Sequence, residues 1–175
     1  MLSAFGARIL ANDLVSMTLD EPVRWVDKPT LYREADLVTL HVPLTRLTRN
    51  LMGAEELAMM QPGALLINTS RGPVVDGAAL GAAIASGHIY AAGVDVFEEE
   101  PKGGQAEYVG PFKDLQGFYG THHIGASTAQ AQQAIGDEVI RIINHWTRSG
   151  DVFNCVNRTG RGPGCGQMLI RHLDR

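Results

Sequence analysis

Long apolar runs are missing from this 175-residue sequence, and no stretch approaches the ~18 residues that a membrane-spanning helix needs. A signal peptide is not expected either, because Arg8 interrupts the first ten residues, where such a peptide has its apolar stretch. Cysteine is scarce, since Cys155 and Cys165 are the only two, and their spacing suits neither a metal site nor a disulfide framework. We therefore expect a cytoplasmic protein without a metal, while a single disulfide stays open.

An excess of charge of one sign is also absent. The sequence has 15 basic and 19 acidic residues, which gives a formal net charge of −4. Such a chain has no general field that would attract nucleic acid or an anionic membrane, so we expect neither as a partner. What the sequence does have is 45% hydrophobic residues and 20 glycines, which is enough for a packed core with many tight turns.

Apolar runs alternate with helical stretches along the chain, which is the pattern of a parallel sheet with crossover helices. We expect strands at residues 7–12, 23–26, 37–42, 64–68 and 89–96. We expect helices at residues 31–35, 53–60 and 78–86, and an amphipathic helix from Ser127 or Thr128 to about Gly150. The run at 37–42 is apolar enough for a strand that is covered on both faces. The predicted fold class is α/β with a doubly wound parallel sheet.

Local signals predict where several elements end. Asp27-Lys28-Pro29 is typical of a turn, Asp76 can cap the helix at 78–86, and Gly87 is expected to terminate it. Residues 97–116 are acidic and then rich in Gly and Pro, without a periodic stretch. We therefore expect a long loop there, close to the chemistry.

Polar segments follow successive strands of the predicted sheet. Residues 68–72 (NTSRG) follow one buried strand, residues 95–101 (DVFEEEP) follow the next, and residues 121–128 (THHIGAST) come after the loop. Taken singly, Arg71 is interpretable as a surface cation, the acidic run as a solvated face and His123 as a structural histidine. Ligands of open α/β sheets bind beyond the carboxyl ends of the strands, so together these segments predict one cleft.

These segments, together with residues 35–80 (ADLVTLHVPLTRLTRNLMGAEELAMMQPGALLINTSRGPVVDGAAL), resemble the D-isomer-specific 2-hydroxyacid dehydrogenases, and most closely the D-3-phosphoglycerate dehydrogenases among them. The likeness extends to about Asn157. It implies a Rossmann-type sheet, NAD as the cofactor, a small 2-hydroxy or 2-keto acid as the substrate, and a homo-oligomer, either a dimer or a tetramer.

By this resemblance, the family's catalytic residues fall on Arg71, Glu100 and His123. Arg71 would hold the substrate carboxylate with its planar fork of donors, and His123 would serve as general acid or base. Glu100 would orient the imidazole and favour its protonated form.

The resemblance also implies a set of cofactor-binding residues. Asp95 would hold the nicotinamide carboxamide, and Asp13 would accept hydrogen bonds from the adenosine ribose, which favours NAD over NADP. The full set is Asp13, His41, Val42, Pro43, Thr69, Arg71, Asp95, His123 and Gly125.

One departure from the family pattern concerns the beginning of the chain, where no GxGxxG motif occurs. The likeness starts inside the family's first helix, so the Rossmann sheet is expected to be truncated, and the strands at 7–12 and 37–42 would lose the partner between them. We expect residues 1–125 to be a partial NAD-binding domain and residues 126–157 to be the return helix and last segment of the substrate domain. Residues 158–175 would be a linker and the start of an ACT-like regulatory domain. Such a fragment is expected to be inactive and to bind NAD weakly or not at all.

Smaller departures leave alternatives open. His122 stands where the family usually has proline, and it is either a tolerated turn residue or a competitor of His123 for Glu100.

The implied reaction is the oxidation of D-3-phosphoglycerate to 3-phosphohydroxypyruvate, the first step of serine biosynthesis. A glyoxylate or hydroxypyruvate reductase would use the same three residues, and a non-catalytic NAD-sensing interaction module is a further alternative.

Overall fold

The computed structural model describes residues 2–15, 22–98, 100, 110, 112–153 and 155. The tail at 158–175, for which we expect a linker and the start of a regulatory domain, lies outside the described residues. The chain divides into two compact units, Met1–Gly125 and Ala126–Arg175. The first contains the strands and the predicted catalytic residues.

Strands and helices alternate through the first unit. The strands are β1 (Ile9–Ala11), β2 (Val23–Trp25), β3 (Leu37–Leu40), β4 (Ala64–Asn68), β5 (Ile89–Val94) and β6 (Phe118–Gly120). The helices are α1 (Lys28–Glu34), α2 (Ala54–Met59) and α3 (Gly77–Ala85), with α4 (Ala129–Ser149) in the second unit. Short 3-10 helices lie at Leu2–Phe5 and Gly72–Val74.

The described residues of the first unit form two parallel sheets. β1 pairs with β2, and a larger sheet has the order β3-β4-β5-β6, so β1 and β3 form no ladder with each other in the described residues. In the larger sheet, Leu40, Asn68, Val94 and Gly120 are successive register partners at the carboxyl ends of their strands. The segments that follow these residues therefore start at one edge of the sheet. The predicted α/β fold with a Rossmann-like parallel sheet is confirmed.

The core joins side chains of the larger sheet to side chains of α1, α2 and α3. Fully buried members are Met52, Leu57, Met60, Leu66, Leu80 and Ile89. In β3, Val38 and Leu40 are buried while Leu37 is 46% exposed, so the expectation that this strand is covered on both faces is wrong. β3 is the edge strand of its sheet, and among the described residues the core covers only the face that carries Val38 and Leu40.

Helix ends follow local capping chemistry. The Asp76 side chain accepts a hydrogen bond from the Ala79 amide at the start of α3, as predicted, and Gly87 beyond its end has a φ of +76°. α1 begins earlier than expected, since the Asp27 side chain caps it and Pro29 fits the first turn, where a missing N–H costs no helix bond. The interpretation of Asp27-Lys28-Pro29 as a turn is therefore wrong.

Strand β6 is not predicted by the sequence pattern. It pairs in parallel with the end of β5, and the Phe118 ring stacks on Phe112 with 4.1 Å between the ring centroids. The end of the predicted loop is thus fixed against the sheet, while residues 99, 101–109 and 111 of that loop lie outside the described part of the chain.

The second unit contains the predicted amphipathic helix as α4. The Thr128 hydroxyl accepts a hydrogen bond from the Ala131 amide at its start, and Gly150 ends it with a left-handed φ of +75°. Among the described residues, no helix has the length and apolar character needed to cross a bilayer.

Candidate active site

Three segments meet at the carboxyl edge of the larger sheet. Arg71 lies shortly after the end of β4, Asp95 directly follows β5, and His123 lies shortly after β6. Because the ends of these strands are register partners, the segments leave the sheet side by side. This is the edge at which a doubly wound sheet binds its ligands.

The predicted catalytic residues Glu100 and His123 are in direct contact. Nδ1 of His123 lies 2.8 Å from Oε2 of Glu100, and the other carboxylate oxygen accepts a hydrogen bond from the Phe97 amide at 3.0 Å. Since an ionised carboxylate only accepts, we assign the proton of this contact to Nδ1. Nε2 of His123 bonds to none of the residues that the structure describes. The pair therefore presents an oriented imidazole with one free nitrogen.

Opposing effects act on the pKa of Glu100. Partial burial raises this pKa, but the hydrogen bonds from His123 and from the Phe97 amide outweigh burial, so the pKa lies below its ordinary value of 4.5. The contribution of Glu100 to stability is fully present above its pKa in the unfolded chain and is lost as the pH falls through the lowered pKa of the folded state. Glu100 is thus ionised at neutral pH, which agrees with the predicted role of orienting His123.

Arg71 is exposed and lies in a turn that buried Asn68 organises. Oδ1 of Asn68 accepts hydrogen bonds from the amide and the hydroxyl of Ser70, and its Nδ2 donates to the Arg71 carbonyl at 3.0 Å. One guanidinium N–H donates to the Ser70 carbonyl at 2.7 Å, which leaves the other donors of the fork for a ligand. Asn68 is not among the predicted site residues; its signal is a polar residue at the end of a buried strand.

Gly72 allows the Arg71 turn to touch the loop that carries Glu100. A Cβ at position 72 would lie 2.1 Å from the carbonyl carbon of Phe97 and 2.4 Å from the amide nitrogen of Glu98. These distances are too short for any side chain. Since the amide of the same Phe97 bonds to Glu100, Arg71 and Glu100 are held on adjoining stretches of backbone.

Asp95 is 7% exposed, and its carboxylate accepts three hydrogen bonds. The donors are the Thr121 hydroxyl, the Ile124 amide at 3.0 Å and the Gly125 amide at 3.0 Å. Burial raises the pKa of Asp95, but these hydrogen bonds lower it by more, so the pKa lies below its ordinary value. A carboxylate offers about four acceptor positions, so one further donor, such as a carboxamide, can still bind.

The predicted ribose ligand Asp13 follows a strand of the smaller sheet, whereas the other site residues follow strands of the larger one. It follows β1, is exposed, and forms no hydrogen bond or ion pair with the other site residues in the described part of the chain. Its Oδ1 accepts a hydrogen bond from the amide of Leu14. The remaining acceptor positions suit ribose hydroxyls, so the position and chemistry of Asp13 fit a dinucleotide.

The other predicted cofactor residues lie in the loops after β3 and β4. His41 bonds to the Thr39 hydroxyl through Nε2 at 3.0 Å, the Pro43 carbonyl accepts from the Thr48 hydroxyl at 2.6 Å, and Val42 packs partly against the core. Thr69 is exposed in the turn before Arg71, as a ligand-contacting residue must be.

His122 does not compete for the carboxylate. It is exposed and bonds to none of the described residues, whereas Glu100 contacts the neighbouring His123. Of the two adjacent histidines, only His123 therefore contacts Glu100, whose carboxylate is held by the Phe97 amide.

A cavity of about 290 Å³ lies beside Gly72 and Phe97. Its walls include Val75, Leu80 and Phe112, and its described lining residues do not include Arg71, Glu100 or His123. The cavity is thus separate from the predicted catalytic groups.

Comparison with known proteins identifies the fold's relatives. Residues 1–125 match the family of the D-isomer specific 2-hydroxyacid dehydrogenase, NAD binding domain. The chain is 44% identical over 140 residues to a hydroxypyruvate reductase of Thermotoga maritima, a match that covers 80% of this chain and 45% of that protein. It is 42% identical over 127 residues to a D-3-phosphoglycerate dehydrogenase of Escherichia coli K12, a match that covers 73% of this chain and 31% of that protein.

Among solved structures, the chain is similar to a D-lactate dehydrogenase with NAD+ from Lactobacillus jensenii. The TM-score is 0.78 at 31% sequence identity, and the similarity covers 89% of this chain and 50% of that one. The chain thus spans half or less of the length of each of these relatives. Because the family match covers residues 1–125 of 175, the chain belongs to the D-isomer specific 2-hydroxyacid dehydrogenases, in their NAD-binding domain.

Proposed function

We propose that the chain carries the catalytic groups of an NAD-dependent oxidoreductase that oxidises the 2-hydroxyl of a D-2-hydroxy acid. The observation that carries this proposal is the 2.8 Å contact between Nδ1 of His123 and Oε2 of Glu100. The preferred reaction is D-3-phosphoglycerate to 3-phosphohydroxypyruvate, the first step of serine biosynthesis. The 42% identity to a D-3-phosphoglycerate dehydrogenase supports this choice. We also propose that the complete protein is a homo-oligomer, and that α4 is the helix through which the chain returns to a substrate domain.

His123 moves the proton of the reaction. Nε2 takes the proton of the substrate hydroxyl in oxidation and returns it when a 2-keto acid is reduced. Glu100 holds Nδ1 at the other side of the ring, and thereby fixes which nitrogen is available to the substrate. The Phe97 amide holds Glu100 in turn.

When bound, NAD accepts the hydride that leaves C2 of the substrate. Asp13 would hold the adenosine ribose and repel a 2′-phosphate, which favours NAD over NADP. His41, Val42, Pro43 and Thr69 would line the cleft near the strand ends.

Arg71 would bind the substrate carboxylate through two parallel N–H donors of its guanidinium and polarise the neighbouring carbonyl. A lysine has the charge but lacks the planar fork, so it cannot reproduce this bidentate contact. One N–H is already occupied by the Ser70 carbonyl, which restrains the side chain before substrate arrives.

The experiment that tests this function measures oxidation of D-3-phosphoglycerate and of D-glycerate by the complete gene product and by its Arg71→Lys variant. Since both acids share the carboxylate, we expect Arg71→Lys to raise KM, lower kcat and reduce kcat/KM by about 10- to 100-fold for both. Arg49→Lys is the matched control, because Arg49 is an exposed arginine paired with Glu98 at 3.4 Å, and we expect its effect to stay within about twofold. An unchanged KM in Arg71→Lys would remove Arg71 from the substrate site.

The same data separate the preferred substrate from the alternative. The 44% identity to a hydroxypyruvate reductase favours D-glycerate as a second candidate, with glyoxylate reduction as the related activity. A higher kcat/KM for D-3-phosphoglycerate supports the preferred reaction, and a higher value for D-glycerate supports the reductase. Binding of NAD without turnover of either acid would favour the non-catalytic NAD-sensing module instead.

A further inference from the structure

The turn that carries His123 has an unusual backbone. His123 has a φ of +58°, which lies in the left-handed region that residues other than glycine rarely adopt. Such a conformation persists only where the surrounding structure imposes it. The contact of the ring with Glu100 holds the end of the side chain, so another group has to hold the backbone.

The carboxylate of Asp95 makes its contacts on both sides of this residue. Its Oδ1 accepts from the Thr121 hydroxyl and from the Ile124 amide, and its Oδ2 accepts from the Gly125 amide. The donors thus bracket His123 in the sequence, two residues before it and one and two residues after it. Asp95 is itself fixed, because its amide donates to the Asn68 carbonyl in the strand ladder at 3.0 Å.

Gly125 provides independent support for this geometry. A Cβ at position 125 would lie 3.0 Å from Oδ2 of Asp95, so the absence of a side chain lets the carboxylate reach the Gly125 amide closely. At the other end of the turn, the Thr121 amide donates to the Val94 carbonyl at 2.9 Å, which fixes the start of the turn to the end of β5. Both ends of the segment are therefore tied to strand β5 and the residue after it.

We propose that Asp95 is the positioning residue of the catalytic-histidine turn, and that it holds residues 121–125 so that the His123 ring meets Glu100. This role rests on the proposed function and adds to the predicted contact of Asp95 with nicotinamide. In this arrangement, Glu100 orients the imidazole ring of His123, and Asp95 fixes the backbone of the turn that carries it.

The arrangement needs both oxygens of a carboxylate. An asparagine side chain has a single acceptor oxygen, and its NH2 group would oppose one of the N–H donors. In Asp95→Asn, the amide oxygen can keep Thr121 and Ile124, while the Gly125 amide loses its acceptor. The predicted defect is therefore the loss of one hydrogen bond, at the Gly125 amide. A general loss of stability would instead affect many amides of the fold.

The test compares amide hydrogen exchange in the complete gene product and in its Asp95→Asn variant, without NAD or substrate. We expect exchange at Gly125 to become about 10- to 100-fold faster, because this amide loses a hydrogen bond to a charged group, and such bonds are strong. Exchange at Ile124 should change less, because the amide oxygen of the variant can still accept from it. The kcat is expected to fall by a similar factor. Asp27→Asn is the control, because Asp27 also accepts from a backbone amide but caps α1, away from this turn.

Two outcomes would overturn the positioning role. One is unchanged exchange at Gly125 with a rise only in the KM for NAD, which is the behaviour of a pure cofactor ligand. The other is faster exchange at Gly125 with an unchanged kcat. Since exchange is measured without substrate, a wild-type protein that turns over no hydroxy acid would count against the proposed function and leave the exchange result interpretable.

Thr121 offers a second variant in case Asp95→Asn does not fold. Thr121→Val keeps the shape of the side chain and removes one of the three donors, so we expect exchange at Ile124 and Gly125 to rise by about 2- to 10-fold. Thr121→Ser keeps the hydroxyl and should restore the wild-type rates. Equal exchange rates in all three proteins would refute the role of this contact.

Discussion

Replacing His123 with alanine is expected to lower the turnover of D-2-hydroxy acids by roughly 100- to 10,000-fold, the usual range for general acid–base catalysis. Nδ1 of the imidazole is held by Glu100, and Nε2 bonds to none of the described residues, so the substitution deletes the group that we propose to exchange the substrate proton. Eight of the nine residues proposed to bind NAD, and the arginine proposed to bind the substrate carboxylate, are unchanged in this variant. The loss should therefore appear mainly in kcat and much less in KM.

His122→Ala is the matched control for this prediction. His122 is the same residue type, one position earlier, and has no bond to the residues that the structure describes. We expect its turnover to stay within about twofold of the wild-type value, as for other exposed side chains. A larger loss in His122→Ala than in His123→Ala would move the catalytic role to the preceding residue.

Gly72→Ala is expected to disrupt both the stability of the fold and the site. The φ of Gly72 is not in the left-handed region, so the backbone itself would accept alanine. The difficulty is the new Cβ, which would overlap the backbone of Phe97 and Glu98 at 2.1 to 2.4 Å. Because these are backbone atoms, relief requires the Arg71 turn and the Glu100 loop to separate, and we expect a loss of about 3 kcal/mol in the free energy of unfolding.

Denaturant unfolding of the complete gene product measures this loss, and kcat/KM should fall by at least about tenfold as Arg71 and Glu100 move apart. Gly136→Ala is the control, since a Cβ there meets nothing within 4 Å and the position lies inside α4. Alanine is the better helix former, so this variant should gain about 0.5 to 1 kcal/mol. Equal midpoints for the two variants would show that the close approach at Gly72 has no energetic importance.

The sequence predicts much of the candidate site at the carboxyl edge of the sheet, for a simple geometric reason. Polar segments after Asn68 and Val94 come at the ends of parallel strands, and such ends lie on one edge of a sheet. The helix ends at Asp76, Thr128 and Gly150 are also predictable, because capping depends on residues only a few positions apart. The assignment of particular roles to Arg71, Glu100 and His123 came from the resemblance and stays a proposal.

The contacts of Asp95 could not be read from the sequence. Its partners lie 26 to 30 residues away, and the contacts depend on a left-handed residue in the turn, which no local rule predicts for histidine. The resemblance alone assigned Asp95 only to the cofactor. The close approach at Gly72 was missed for the same reason, since Phe97 is distant in the chain.

Short helices and strands are difficult to predict from the sequence for a different reason. β6 has three residues, too few to show the alternation by which strands are recognised, and it forms because β5 offers an open edge beside it. The start of α1 is not predicted correctly because Pro29 is common both in turns and in the first turn of a helix, and only the Asp27 cap decides between them.

The measurement that most directly tests whether Glu100 and His123 act as one unit is a double-mutant cycle on kcat in the complete gene product. Glu100→Gln should cost about 10- to 100-fold in the wild-type background, because it removes a charged partner of the imidazole. In the His123→Ala background the same substitution should cost about twofold or less, since the ring that it orients is gone. An equal cost in both backgrounds would show that the two residues act separately, and would contradict the proposed catalytic pair.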